Sequence, residues 1–354
     1  MATRQPYQKK FQSRDQREQT SSQQAPNSVV KQVTVDALVV MKIIKHAREN
    51  PHEPVRGPLL GLSQLADASK PGEDALLEVT NCFPTPRVSD DDDDSIVQQY
   101  QVQMMRWLRE VNVDHMNVGW YQAADMGTFF DEDVAAVQFQ HQRHMAESVV
   151  LIYDPVLTLQ GTLSLSAFRL SNKAMELFST DSFNPKAVRE AGLTYRTVFE
   201  KVPVTIRASS MARLLIPELS ANLDQSEIFD RMDLNATSFM SRNIKLLMEG
   251  IDDLSQEAYK FQQYHRNATK AKASLDAQLE ARRAENEQLR AKGLPEKSEA
   301  ELVANHKTPT PPSRLGSLLV TAQINTFCKQ VSDFSGQSFG KLYIAKATQP
   351  EAEE

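Results

Sequence analysis

An α/β (α+β) domain built on a mixed sheet flanked by helices, followed by a C-terminal region of long helices, is the fold class that this sequence predicts. Three observations carry it. Between residues 31 and 175, short β-prone runs alternate with stretches of helical period. From Met240 to Lys292 there is no proline, and apolar residues recur at three-four spacing. A second helical face lies beyond the proline-rich run Lys307-Thr308-Pro309-Thr310-Pro311-Pro312. The expected organisation is a disordered tail over 1–30, the α/β domain over 31–175, and a connecting segment with short strand and helix elements over 176–235. A long helix over 236–292, a flexible linker over 293–314, a C-terminal helical segment over 315–346 and a disordered tail over 347–354 complete it.

Composition bounds the function. A chain of 354 residues with 40% apolar residues can bury one full domain and still have much of its length for something else. A net charge of −6 without a strongly basic block argues against nucleic acid as a chain-wide partner. Cys82 and Cys328 lie in unrelated segments, which suits a reducing compartment and provides no disulfide framework. No run of about 18 apolar residues occurs and the N-terminus has no signal-peptide pattern. The chain reads as soluble and cytoplasmic, with no membrane partner.

The elements follow in order. Residues 1–30 are rich in Gln, Ser and basic side chains and poor in branched apolar ones, so they cannot offset their ordering entropy. Arg4, Lys9, Lys10, Arg14 and Arg17 leave direct RNA contact open, although Asp15 and Glu18 dilute the charge. A strand at Gln32–Val35 leads to a helix opened by Asp36 as N-cap, with Ala37, Val40, Met41 and Ile44 on one face, ending before Pro51. Strands at Leu59–Leu62 and Leu76–Thr80 flank a turn at Lys70-Pro71-Gly72. The acidic run Asp90–Asp94 lacks the spacing of a calcium loop and precedes a helix carrying Val97, Tyr100, Met104, Trp107, Leu108 and Val111. It reads as the negatively charged start of that helix, which the helix dipole favours. After a strand at Asn117–Tyr121, a helix over Asp133–Glu147 carries His141 and His144 at three-residue spacing. No third ligand has fitting spacing, so they read as surface residues. Strands at Val149–Tyr153, apolar throughout and so central, and at Leu163–Leu170, alternating and so half-exposed, close the domain.

The segment Gly119-Trp120-Tyr121-Gln122-Ala123-Ala124-Asp125-Met126-Gly127 resembles the active-site strand of MPN domains of the JAMM family. The order of elements, Tyr153-Asp154-Pro155 and Ala167-Phe168-Arg169-Leu170 strengthen that resemblance over residues 32 to about 172. It implies that catalytic members hold zinc with two His and one Asp, use an upstream Glu as general acid/base, and carry a Ser near the oxyanion. Carried onto this chain, the two His positions fall on Gln122 and Ala124, the Ser on Glu132, the Asp on Ala135 and the Glu on Pro54. A hydrolytic zinc site needs about three N or O ligands and a nearby carboxylate, and these residue types do not supply them. A slip of one or two residues brings in Glu53 or Asp133 but restores neither histidine. Neither metal nor cofactor is expected, and the chain is expected to be no enzyme.

The C-terminal half points elsewhere. Ile244, Leu247, Ile251, Leu254, Ala258 and Phe261 form a seam that weakens through Ala268, Leu275, Leu279 and Leu289. Val320, Ile324, Phe327, Val331 and Phe334 form the second face. The two faces can pair as a hairpin within one chain. Two helices still leave apolar surface open, so partner helices from other subunits are the expected cover.

An MPN domain without metal ligands followed by long helices resembles subunits of the proteasome lid, the signalosome and translation initiation factor 3. Val39-Val40-Met41-Lys42-Ile43-Ile44-Lys45-His46, Glu147 to Pro155, Gln323-Ile324-Asn325-Thr326-Phe327 and Gly340-Lys341-Leu342 are similar to the H subunits of eukaryotic translation initiation factor 3. That resemblance implies a non-catalytic scaffold in translation initiation that pairs with the factor's second MPN protein, its F subunit. It also implies a multi-subunit helical bundle, entered through Ile244, Leu247, Ile251, Leu254, Phe261, Val320, Ile324, Phe327 and Val331, and recruitment of the small ribosomal subunit through the complex. The proteasome lid or signalosome is the alternative setting, and a zinc-dependent deubiquitinase the alternative chemistry.

Overall fold

The computed structural model describes residues 30–51, 54–64, 75–86, 94–124, 127–159, 163–180, 182–221, 237–291, 298 and 309–348. The tail over 1–29, Glu53, the Lys70-Pro71-Gly72 turn, Asp90–Asp93, residues 222–235, most of the 293–314 linker and residues 349–354 lie outside the described residues.

Eight strands, β1 (Val30–Asp36), β2 (Val55–Gln64), β3 (Ala75–Cys82), β4 (Asn117–Ala123), β5 (Val149–Tyr153), β6 (Leu165–Leu170), β7 (Phe199–Val202) and β8 (Val204–Arg207), make one mixed sheet of order β7-β6-β5-β4-β2-β3-β1-β8. The pairs β1–β3, β1–β8 and β4–β5 are parallel, and β2–β3, β2–β4 and β5–β6 are antiparallel. The helices are α1 (Ala37–Glu49), α2 (Asp94–Glu110), α3 (Glu132–His144), α4 (Pro155–Leu159), α5 (Asn172–Ser179), α6 (Pro185–Ala191), α7 (Ser210–Ala221), α8 (Thr237–Ala291) and α9 (Leu315–Thr348). β5 lies inside the sheet with all five residues buried, as a continuous Val-Val-Leu-Ile-Tyr run requires.

The chain divides into two compact units that a single cut at 175 does not separate. One comprises residues 1–124, 137–169 and 201–224, and the other 125–136, 170–200 and 225–354. In the first, α1 turns Val39, Val40, Ile43 and Ala47 inward. That face is rotated from the one read in the sequence, and Met41 is exposed. Asp36 takes the N-cap backbone conformation, but its side chain makes no capping hydrogen bond. The core continues through Val33, Val35, Leu59, Leu77, Val79, Val118 and Leu151, each fully or almost fully buried, at about 1.5–3 kcal/mol per large aliphatic side chain.

Several polar groups inside this core are paired. The Trp120 indole N–H donates to Gln138 Oε1 at 2.8 Å, and Gln138 Nε2 donates to the Ser148 carbonyl at 3.0 Å and to Gln142 Oε1 at 3.2 Å. A single buried glutamine thus ties β4 to the second half of α3 and to the turn before β5. Tyr121 Oη lies 2.9 Å from His46 Nδ1, and burial pushes its phenol well above the usual range. Cys82 is buried and its thiol is pushed up to about 12 by burial, against the opposing charge of Lys42, so it is inert as a nucleophile.

Gln138→Leu leaves the Trp120 N–H and the Ser148 carbonyl without their buried partner. A loss of about 1–3 kcal/mol in urea unfolding is expected, with the fold retained. An unchanged midpoint contradicts the bridging role.

Candidate functional site

The positions to which the MPN resemblance carries the catalytic residues fall into both units. In the first, Pro54 is exposed just before β2, and Gln122 is buried in β4 in register with Arg56 and Ile152. Gln122 Oε1 has no hydrogen-bond partner among the described residues. Ala124 is buried, and its N–H donates to the Tyr153 carbonyl at 3.0 Å. In the second unit, Glu132 opens α3 at the surface, while Ala135 is fully buried with its N–H on the Asp131 carbonyl at 3.1 Å. An amide, two methyl groups and a proline ring are not zinc ligands, and one carboxylate does not make a site. Among the described residues, no group of three or more His, Cys, Asp or Glu is placed to hold a metal. Asp133 is exposed. His141 stacks on Trp120 at 6.2 Å between ring centroids, and burial, with the nearby His144, holds its imidazole below the usual histidine range. It is a packed aromatic, whereas His144 alone is at the surface.

Residues 127–132 of the second unit form a seat for the chain's own last helix. Gly127 adopts φ +88°, a conformation costly for side-chain-bearing residues, and a Cβ there would lie 2.7 Å from Thr326 Cγ2 on α9. Gln323 Nε2 donates to the Phe130 carbonyl at 2.7 Å. Phe130 packs on Phe129 at 4.1 Å and on Phe199 at 5.7 Å, centroid to centroid. Glu132, at the position the resemblance gave to a Ser, sets its carboxylate against Gly316 in the first turn of α9, 2.9 Å from where a Cβ would stand. The electropositive end of a helix favours that placement. Glu257 of α8 comes to the same turn, and hydrogen bonds Lys260 at 2.7 Å. That bond, with the added field of Glu132, raises the Lys260 ammonium above its usual value.

A neighbouring face of α9 packs on α8. Phe239 meets Phe334 at 4.7 Å between centroids, Ile324 lies over Gly250, and the Arg314 guanidinium sits 4.3 Å from the centre of Phe261. These pairs run in opposite directions, so the hairpin is antiparallel. Of the residues read as one seam, Leu247, Leu254 and Phe261 are half-buried, whereas Ile244 is 45% and Ile251 is 50% exposed. The inward places one residue earlier in each heptad are taken by Asn243 and Gly250, both buried, and by half-buried Glu257. Gly250 lets Ile324 approach to 3.2 Å of its absent Cβ, and this closeness turns the branched residues of α8 outward. On α9, Phe327 is buried and Val320, Ile324 and Val331 are half-buried.

The region beyond the first strands of the domain is decisive when set beside known families. Residues 158–354 match the family model described as the C-terminal region of eIF3h, and residues 28–147 match that described as JAB1/Mov34/MPN/PAD-1 ubiquitin protease. The Danio rerio H-B subunit of eukaryotic translation initiation factor 3 is 38% identical over 94% of this chain and 98% of its own length. The Xenopus tropicalis H subunit is 39% identical over 94% and 97%, and that of Nematostella vectensis 38% over 94% and 98%. The chain belongs to the family of H subunits of eukaryotic translation initiation factor 3.

In this family member, the features that sequence reasoning missed are the seat and the second face of α9. Leu315, Leu319 and Ala322 are buried. Gln323, Thr326 and Gln330 complete that side, and their polarity hides it from a search for apolar period. The one available signal was Gly127, a glycine after a strand without a hairpin to explain it.

Gly127→Val forces a branched side chain into positive φ and into Thr326. A loss of about 2–4 kcal/mol is expected, read as a lower denaturant midpoint. A wild-type midpoint would show that the seat carries no stability.

Proposed function

We propose that this family member is a non-catalytic scaffold that brings its MPN domain and a helical hairpin into translation initiation factor 3. The observation that carries the reading is the outward stripe of α8, where Ile244, Met248, Ile251 and Tyr259 are 45%, 60%, 50% and 64% exposed on a helix of 55 residues. Contiguous apolar surface of this kind marks an interface. α9 begins opposite Glu257 and Phe261, so residues 262–291 run past it for about 45 Å at 1.5 Å per residue. The helical bundle is thus entered by Ile244 and Ile251 directly, while Leu247, Leu254, Phe261, Val320, Ile324, Phe327 and Val331 build the hairpin that presents them.

Pairing of the MPN domain with the factor's second MPN protein, its F subunit, is supported by exposed Leu38 and Met41 on α1 and by Val102 and Trp107 on α2. Through the assembled factor the chain contributes to recruitment of the small ribosomal subunit, in the cytoplasm. No helix among the described residues is long and apolar enough to cross a membrane. The enzyme alternative needs zinc ligands that Gln122, Ala124 and Ala135 do not supply.

The double variant Ile244→Asp, Ile251→Asp is expected to stay folded while losing co-purification with the other subunits, measured by mass spectrometry of the tagged complex. Leu254→Asp is expected to lower stability as well, because its side chain packs inside the hairpin. Wild-type recovery of partners with the double variant would remove the outward stripe from the interface. Stoichiometric zinc on elemental analysis, together with cleavage of a ubiquitin chain, would overturn the non-catalytic reading.

A further inference from the structure

Three threonines in the chain precede proline: Thr85, Thr308 and Thr310. The fold treats the two described ones very differently. Thr85 follows the buried Cys82 and Phe83, is half-buried, and its N–H is tied to the Arg56 carbonyl at 3.0 Å beside β2. Thr310 is exposed and belongs to no helix or strand. Pro309, Pro311 and Pro312 fix φ, remove three backbone donors and bias the residues before them toward extended conformation. Among the described residues, backbone anchoring follows this run, where the Arg314 N–H donates to the Phe183 carbonyl at 3.0 Å and Ser313 Oγ accepts from the Leu315 N–H at 3.3 Å. An extended, solvent-facing threonine followed by proline is the form in which a proline-directed kinase takes its acceptor.

We propose that Thr310 is a phosphoacceptor site for a proline-directed serine/threonine kinase. In the transfer, Thr310 Oγ1 forms a bond to the γ-phosphorus of ATP, the bond from that phosphorus to the β–γ bridging oxygen breaks, ADP leaves, and the hydroxyl proton passes to the kinase base. The product adds about −1.5 to −2 charges at neutral pH. That charge stands at the root of α9, between Lys307 three residues before it and Arg314 four residues on, the two nearest cations along the chain. The site is independent of the scaffold reading, because it rests on exposure and backbone form alone.

The test treats the intact, folded chain with an active mitogen-activated protein kinase and ATP, and maps phosphate by peptide fragmentation. Phosphate on Thr310 is expected, abolished in Thr310→Ala and retained in Thr308→Ala and Thr85→Ala. A urea-unfolded and diluted peptide digest of the same chain is expected to accept phosphate at Thr85 as well, since the tie to Arg56 is then gone. Phosphate on Thr85 or Thr308 in place of Thr310 in the folded chain, or undiminished incorporation in Thr310→Ala, overturns the proposal.

Discussion

The close approach of α9 to two surfaces at once is the constraint on which the second unit depends. One side of that helix lies on residues 127–132 and the other on α8, and each contact is made where a glycine removes a Cβ: Gly127 under Thr326, Gly250 under Ile324, and Gly316 under Glu132. Packing of this kind gains dispersion over many atom pairs and fails when a single methyl group intrudes. It also fixes which residues of α8 are left facing outward.

That arrangement gives the segment after β4 a structural part. Glu132, where the MPN resemblance puts a Ser, meets the first turn of α9, and the nearby backbone carbonyl of Phe130 accepts from Gln323. Residues 127–132 are a docking surface for the chain's own last helix. The chain's relatives among the H subunits of eukaryotic translation initiation factor 3 match it over nearly its whole length.

Much of the fold was legible because it is written in local pattern. The apolar run of β5 and the strand–helix order reach the MPN resemblance from residues alone, and the proline-free stretch beyond Met240 reads as α8. The faces were less legible. Ile244 and Leu247 look like one seam because both are apolar at three-four spacing, yet the hairpin chooses Asn243 and Gly250 over Ile244 and Ile251, a choice set by distance to Ile324 and not by hydropathy. Asn243 is fully buried with neither amide atom partnered among the described residues, a cost no periodicity search assigns to an inward position. The division of the chain into interleaved units was likewise hidden, because residues 125–136 belong with a helix almost 200 positions downstream.

Backbone hydrogen exchange along α9 in the intact chain tests the central claim most directly. Amides from Leu319 to Val331, which lie between the seat and α8, are expected to exchange slowly and together. Those from Phe339 to Thr348, where Phe339 and Tyr343 are 72% and 76% exposed, are expected to exchange fast. Uniform fast exchange over the whole helix would contradict the account, because α9 would then be held by neither surface.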